Sequence, residues 1–317
     1  MLQHDRNTGH RFELPEQHEE SKNSLLSATL AFLRKAKPER HVRELHLTRF
    51  FTTVELDDDS VGACMSYYND LEDFVLDAVE ARLQHACADP FAIQHTHELY
   101  QLVADCVPRR RSQELILSSL MASIASALSA RLLLAGGDEW FRVAHRRPTN
   151  WTNDAESALV VGFGGFLEPL ISDERLRRVH VVDLSMDLRS EWALEVAAWT
   201  TQYPTKSITA STHLESASSL RDFDLISITG STLCNGTLEY FLANARDDAN
   251  VILQGQSASI HPRMFFEAGV NWVATTLKPP TLGRMTRGSH DGEVLRPILQ
   301  GGLPWVYLLP RNSAPIS

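Results

Sequence analysis

The spacing of apolar and polar positions divides the chain into two regions of different character. In the first, Ser24 to Lys35 reads as an amphipathic helix, stopped ahead of Pro38. Val42 to Leu56, VRELHLTRFFTTVEL, is rich in β-branched and aromatic residues in partial alternation. Asp57-Asp58-Asp59-Ser60 is a turn signal, and Val61 to Tyr67 resumes the extended pattern, which predicts a hairpin. Asp70 to Ala88 carries Leu71, Phe74, Val75, Ala78, Val79 and Leu83 at three- and four-residue spacing, the mark of a helix. Two further helices are predicted, over Phe91–Val107 and Ser112–Leu134, the second closed by Gly136-Gly137 in the manner of a glycine C-cap.

Beyond Gly137 the pattern changes. Trp140 to Glu156 is rich in Arg, Pro, Asn and Asp and reads as a linker. From Ala158, short apolar runs alternate with helical spacers. Strands are predicted at Ala158–Gly162, His180–Asp183, Lys206–Ala210, Asp224–Thr229, Asn250–Gln254 and, last, Trp272–Thr276. Helices are predicted over Phe166–Ser172, Trp192–Trp199, Leu238–Asn244 and Met264–Ala268. Strands separated by helices imply an α/β fold with a parallel, doubly wound sheet. The expected organisation is a polar arm over 1–22, an α+β domain over 23–150 and an α/β domain over 151–317.

Composition narrows the function classes. The 317 residues are 43% apolar, enough to bury a core in each region. Lys+Arg 30 against Asp+Glu 40 gives a net charge of -10, which argues against nucleic acid or an anionic membrane as a partner. No apolar run approaches the roughly 18 residues of a membrane span, and the N-terminus lacks the apolar core of a signal peptide. Cys64, Cys87, Cys106 and Cys234 are widely spaced without a C-x-x-C pair. Reduced thiols and a cytoplasmic location are the expectation, and the spacing excludes a zinc knuckle. Homodimerisation is left open.

Candidate chemistry gathers in three small, polar loops that follow apolar strands, where open α/β sheets hold their ligands. The first is VGFGGFLEPL, Val161 to Leu170. Gly162, Gly164 and Gly165 stand where a nucleotide loop would, but the sixth position is Leu167, so the dinucleotide fingerprint is incomplete. Asp183 ends the next strand, where an acidic residue commonly binds a ribose diol; NAD and S-adenosylmethionine fit equally. Close packing of the glycines is the alternative.

The second loop is TGSTLCNGT. Thr229, Gly230, Ser231, Thr232, Asn235 and Thr237 offer hydroxyl, amide and N–H groups for a carboxylate or phosphate. Thr237 is also placed as an N-cap, with Glu239 in the first turn behind it. The third loop, GQSASIHP, holds His261 as a metal ligand, an acid/base or a structural residue. Glu168, at the head of the first loop's helix, is the other acid/base candidate. Cys64 and Cys234 are either soft-metal ligands or buried small hydrophobes. The thirteen histidines form no H-E-x-x-H or comparable local cluster.

VGFGGFLEPL, VVDLSMDLR, DLISITGSTLCNGTLEYFL and VILQGQSASIHPRMFFEAGVNWVA together resemble the putative heavy-metal chelation family. Its members join an enolase-N-terminal-like domain to a Rossmann-like domain. The match runs from Ala158 to Gly302, with a partial one in TRFFTTVELDDDSVGACMSY and LSSLMASIASALSA. The resemblance implies a site between the two domains, lined by the glycine loop, the TGSTLCNGT loop and the hairpin face, and a role in handling metals. The sequence departs from the family where GQSAS replaces a GPS-like turn and where Gly165 replaces a frequent proline.

Two functions stand open. In one, the protein handles a small ligand or a divalent or soft metal ion through Cys64, Cys234 and His261. In the other, it is an enzyme of metallophore biosynthesis acting on a small amino-acid-like substrate. S-adenosylmethionine or another nucleotide would then lie on Gly162, Gly164, Gly165 and Asp183. Thr229, Ser231, Thr232 and Asn235 would orient a substrate carboxylate, with His261 or Glu168 as acid/base.

Overall fold

One long helix, α4 (Arg110–Leu134), packs on the strands of one sheet and shares a hydrophobic core with the strands of the other. The computed structural model describes residues 24–36, 40–48, 50–66, 71–91, 96–162, 167–183, 190–214, 216–280, 282 and 302–311. The chain begins with α1 (Ser24–Ala36), followed by three antiparallel strands, β1 (Val42–Leu47), β2 (Phe51–Leu56) and β3 (Val61–Met65), in the order β1-β2-β3. The predicted hairpin is therefore a three-stranded meander. Val42–Leu56 breaks at Thr48, whose hydroxyl accepts the N–H of Phe51 at 2.9 Å and of Phe50 at 3.3 Å. A turn held by a threonine side chain carries no Gly or Pro signal. Next come α2 (Asp73–Ala86), α3 (Thr96–Ala104) and α4.

Helix α4 is long and apolar enough to cross a bilayer, but 83% of its most apolar window is packed inside the protein. It is a core helix. Its middle, SSLMASIASALSA, is small on almost every face, and that smallness has a partner in β3. A Cβ added at Gly62 would stand 1.9 Å from the carbonyl oxygen of Ser123 and 2.5 Å from the amide nitrogen of Ala127. Strand and helix meet backbone to backbone, as a strand glycine permits. Ser123 Oγ then reaches the carbonyl of Thr52 at 2.8 Å. The helix closes at Gly136 (φ 89°), whose left-handed backbone suits glycine.

The second sheet has eight strands in the order β4-β11-β10-β9-β8-β5-β6-β7. They are β4 (Phe141–Ala144), β5 (Ser157–Val161), β6 (Arg178–Val182), β7 (Ser207–Ser211), β8 (Leu225–Thr229), β9 (Asn250–Gln254), β10 (Trp272–Thr276) and β11 (Trp305–Pro310). The six from β10 to β7 run parallel; β11 is antiparallel to β10, and β4 to β11. The expected linker thus contains a strand, and Trp272–Thr276 is not the last one.

Parallel strands buried on both faces read as unbroken apolar runs, and β5 shows why. Ala158 and Val160 face a core with α5 (Leu167–Ser172) and α6 (Ser190–Gln202). Leu159 and Val161 face the other core, with α1, α4 and α8 (Leu238–Asn244). The fold is α/β, with a parallel-rich sheet between helices. Strand order reverses between β5 and β8, so the loops after these two strands sit side by side.

Glu239, in the first turn of α8, accepts the N–H of Leu25 at 3.2 Å and so caps α1 from across the fold. Burial pushes its carboxyl above the ordinary value, with the Leu25 N–H pulling the other way. The folded state then holds this proton more tightly than the unfolded chain. The resulting stability is present at low pH and is lost as pH rises through the folded-state value. Glu239→Gln keeps an acceptor without the charge. It is expected to gain stability relative to the parent at neutral pH, with the gain vanishing near pH 4 or below (about the unfolded carboxylate value), in urea unfolding across that range. Gly62→Ala is expected to cost about 3 kcal/mol by the same measurement, because neither backbone can yield.

Candidate functional site

The three polar loops meet at the carboxyl ends of β5, β8 and β9, and the contacts between them explain two of their glycines. Gly162 (φ 93°) donates its N–H to Val182 O at 2.8 Å, and an added Cβ would lie 2.6 Å from Thr229 Cγ2. At Gly230 a Cβ would lie 2.6 Å from the Ala258 nitrogen, in the 3-10 turn Gln256–Ala258 of the third loop. Gly162 and Gly230 therefore serve close packing. The hydroxyls of the second loop also bond within it. Thr232 Oγ1 donates to Thr229 O at 2.6 Å, and Thr229 Oγ1 pairs with Ser231 Oγ at 3.1 Å. Asn235 Oδ1 accepts both the N–H (3.2 Å) and the hydroxyl (2.6 Å) of Thr237. Thr237 occupies the N-cap position of α8, but its side chain makes no capping bond. The loop folds into a one-turn helix, α7 (Thr232–Asn235), closed by Gly236 at φ 71°.

This turn carries Cys234 to Cys64 of β3. The two sulfurs lie 2.6 Å apart, both buried, from positions 170 residues apart in the chain. Ser257 sits against both thiols and accepts the N–H of Met65 at 2.9 Å. Burial drives both thiols upward, but for Cys64 hydrogen bonds from Cys234 and Ser257, the charge of Lys278 and the Met65 N–H outweigh it and bring the thiol below its ordinary value. Cys234 is pushed well above, by burial and then by Cys64 itself. One proton is thus easily lost from the pair and the other is held.

Lys278 lies on the far side of the same 3-10 turn. Its ammonium is buried and donates to Gln256 O at 2.8 Å, to Ser126 Oγ at 3.4 Å and to Ser259 Oγ. Burial brings it down to about 7, against the pull of Cys64. Ser126 and Ser259 bond each other at 2.8 Å, which ties α4 to the third loop. Neither Ser257 nor Lys278 stood out in the sequence. A lone lysine closing the apolar run WVATTLK was the available signal.

With this geometry in view, the chain can be set beside known proteins. Residues 153–281 match the family model DUF364, described as putative heavy-metal chelation. That segment is similar to this family over 129 of the 317 residues. A DUF364 protein of unknown function from Pyrococcus horikoshii superposes with a TM-score of 0.56 at 13% identity, over 90% of this chain and 99% of its own. A second DUF364 protein, from Desulfitobacterium hafniense DCB-2, gives 0.54 at 13% identity, over 89% and 97%. At this identity the likeness is one of fold, and it extends across both sheets. None of the curated proteins matches the chain.

The other candidates lie apart from the thiols. His261 is fully buried and committed. Its Nε2 lies 2.7 Å from Asp138 Oδ2, its Nδ1 accepts the Arg263 N–H at 3.3 Å, and the rings of Phe32 and Phe141 stand 4.7 and 5.0 Å away. With Nδ1 accepting, Nε2 carries the proton toward Asp138, and neither nitrogen is left for a metal or a substrate. Burial lowers its affinity for a second proton, with Asp138 opposing. Among the described residues no three His, Cys, Asp or Glu side chains gather as a metal cluster, so His261 does not join the thiols as a third ligand. Glu168 is exposed on α5. Asp183 follows β6, half-buried, with its N–H on Ser211 O at 3.0 Å. Gly164 and Gly165 lie outside the described residues. A surface cleft of about 350 Å³ lies elsewhere, beside Trp140, Phe266 and Arg263.

Two outcomes are expected. His261→Ala should lower stability by about 3 kcal/mol, since it empties a packed site and strands Asp138, and it should leave any chemistry of the thiol pair intact; thermal unfolding and thiol assays separate the two effects. Exchange with a low-molecular-weight disulfide should join Cys64 to Cys234, releasing two equivalents of the reduced thiol. Titration of the unfolded protein would then find only Cys87 and Cys106 free, and mixed disulfides on all cysteines would be the contrary result.

Proposed function

We propose that this protein takes up a soft metal ion between the Cys64 and Cys234 thiolates, at the junction of the three-stranded sheet, α4 and the second loop. The observation that carries the reading is the convergence of two buried thiols from distant parts of the chain onto one point. Thiolates are the ligands preferred by soft ions such as Cu(I), and a pair joined by no third His, Cys, Asp or Glu among the described residues suits ions that accept two-coordinate sites. The family description points the same way. The sulfurs now touch, so they must part to admit an ion, and uptake is coupled to side-chain rotation at the junction. The site handles the metal as cargo; none of its groups is arranged for catalysis.

The test is equilibrium dialysis of the reduced, full-length protein against Cu(I) buffered by a competing chelator. About one equivalent should bind, and Cys64→Ser or Cys234→Ser should each abolish it. Binding that survives in both variants, or none in the parent, overturns the reading.

A second reading rests on the strand order. Gly162 and Asp183 follow adjacent parallel strands beside the point where the order reverses, where nucleotides bind in doubly wound sheets. If S-adenosylmethionine raises the melting temperature and Asp183→Ala removes the rise, that reading gains over the metal site.

A further inference from the structure

The charges around the thiol pair bear on which soft ion it accepts. Two thiolates carry two negative charges. With a monovalent ion between them the complex keeps one; with a divalent ion it keeps none. Lys278 is buried on the 3-10 turn that also supplies Ser257 to both sulfurs, and it binds the Gln256 carbonyl at 2.8 Å, one residue before Ser257. The acceptors it reaches are neutral: the Gln256 carbonyl and the Ser126 and Ser259 hydroxyls. The void beside it, lined by Val61, Ser126, Ala130, Leu133, Ser259 and Thr276, is too small for a water molecule. The charge of a Cys64 thiolate favours the ammonium form of Lys278, against the effect of burial. A buried cation without an anion is costly, and so is a buried anionic complex without a cation.

We infer that the site is matched to a monovalent soft ion of the Cu(I) or Ag(I) class, with Lys278, in its charged form, as the cation that balances the two-thiolate complex. This rests on the soft-metal reading of Cys64 and Cys234. A monovalent ion makes the group of ion, two thiolates and ammonium neutral as a whole. A divalent ion makes the two-thiolate complex neutral by itself and gains nothing from the ammonium, so selection by charge is added to selection by softness.

The experiment is a competition titration of the reduced full-length protein with Cu(I), held by a chromophoric chelator, and with Cd(II), followed by its thiolate charge-transfer absorbance. Lys278→Met should weaken Cu(I) at least about tenfold, or about 1.4 kcal/mol, and leave Cd(II) unchanged or tighter. Lys278→Arg should retain the Cu(I) affinity of the parent. Lys278→Gln, which keeps polar contacts without charge, gives the same comparison if the methionine variant does not fold. An equal change for both ions, or no change for either, overturns the role of Lys278 while leaving the thiol site standing. Failure of the parent to bind Cu(I), or binding unaffected by Cys64→Ser and Cys234→Ser, removes the soft-metal reading and this inference together.

Discussion

The close approach of β3 to α4 at Gly62 is the constraint on which the rest of the structure depends. A strand can lie on a helix at backbone distance only if both surfaces are bare, and here both are: a glycine in the strand, and a run of serine and alanine in the helix. Because β3 sits that deep, Cys64, two residues beyond Gly62 and so on the same face of the strand, meets Cys234. The serines of α4 do two jobs. Ser119 and Ser129 bond back to carbonyls of their own helix, while Ser123 and Ser126 reach outward to β2 and to the third loop. The helix thereby holds the two sheets in one register with hydroxyls instead of large side chains.

The junction is otherwise apolar, so a polar group within it needs a partner. The thiols, Ser257, Lys278 and the Ser126–Ser259 pair supply one another's partners within a few residues of sequence on each element. The two cysteines are driven apart in acidity by their surroundings, Cys64 downward and Cys234 upward. Identical groups made unequal by position are a common mark of a functional site, though structural networks do the same. Buried His261 pairs separately with the partly exposed Asp138, both ring nitrogens being used, and its backbone N–H holds the third loop on α4 through the Ser129 hydroxyl.

Much of the fold was legible because its elements bury continuous or periodic apolar runs. The parallel strands β5, β8, β9 and β10 each announce themselves, since both faces are covered and no polar residue need interrupt them. What escaped notice lacked such a signal. The break between β1 and β2 is made by a threonine hydroxyl, β4 lies among arginines at the edge of its sheet, and β11 is separated by a long stretch from the strand it pairs with. At the site, the loops and both cysteines could be named in advance, but pairing could not, because 170 residues separate the thiols. The glycines read as a ligand cradle are, at Gly162 and Gly230, positions where a Cβ would strike a neighbouring loop. Sequence shows that a loop is small and polar; it does not show whether the space above it is filled by a ligand or by the next loop.

The central claim is that seating β3 on α4 creates a two-sulfur site for a soft ion. X-ray absorption at the copper edge of the Cu(I)-loaded, full-length protein measures this ligand set directly. The account requires a shell of two sulfur atoms and no nitrogen or oxygen at bonding distance. A shell containing imidazole nitrogen, or one unchanged by Cys64→Ser, would contradict it.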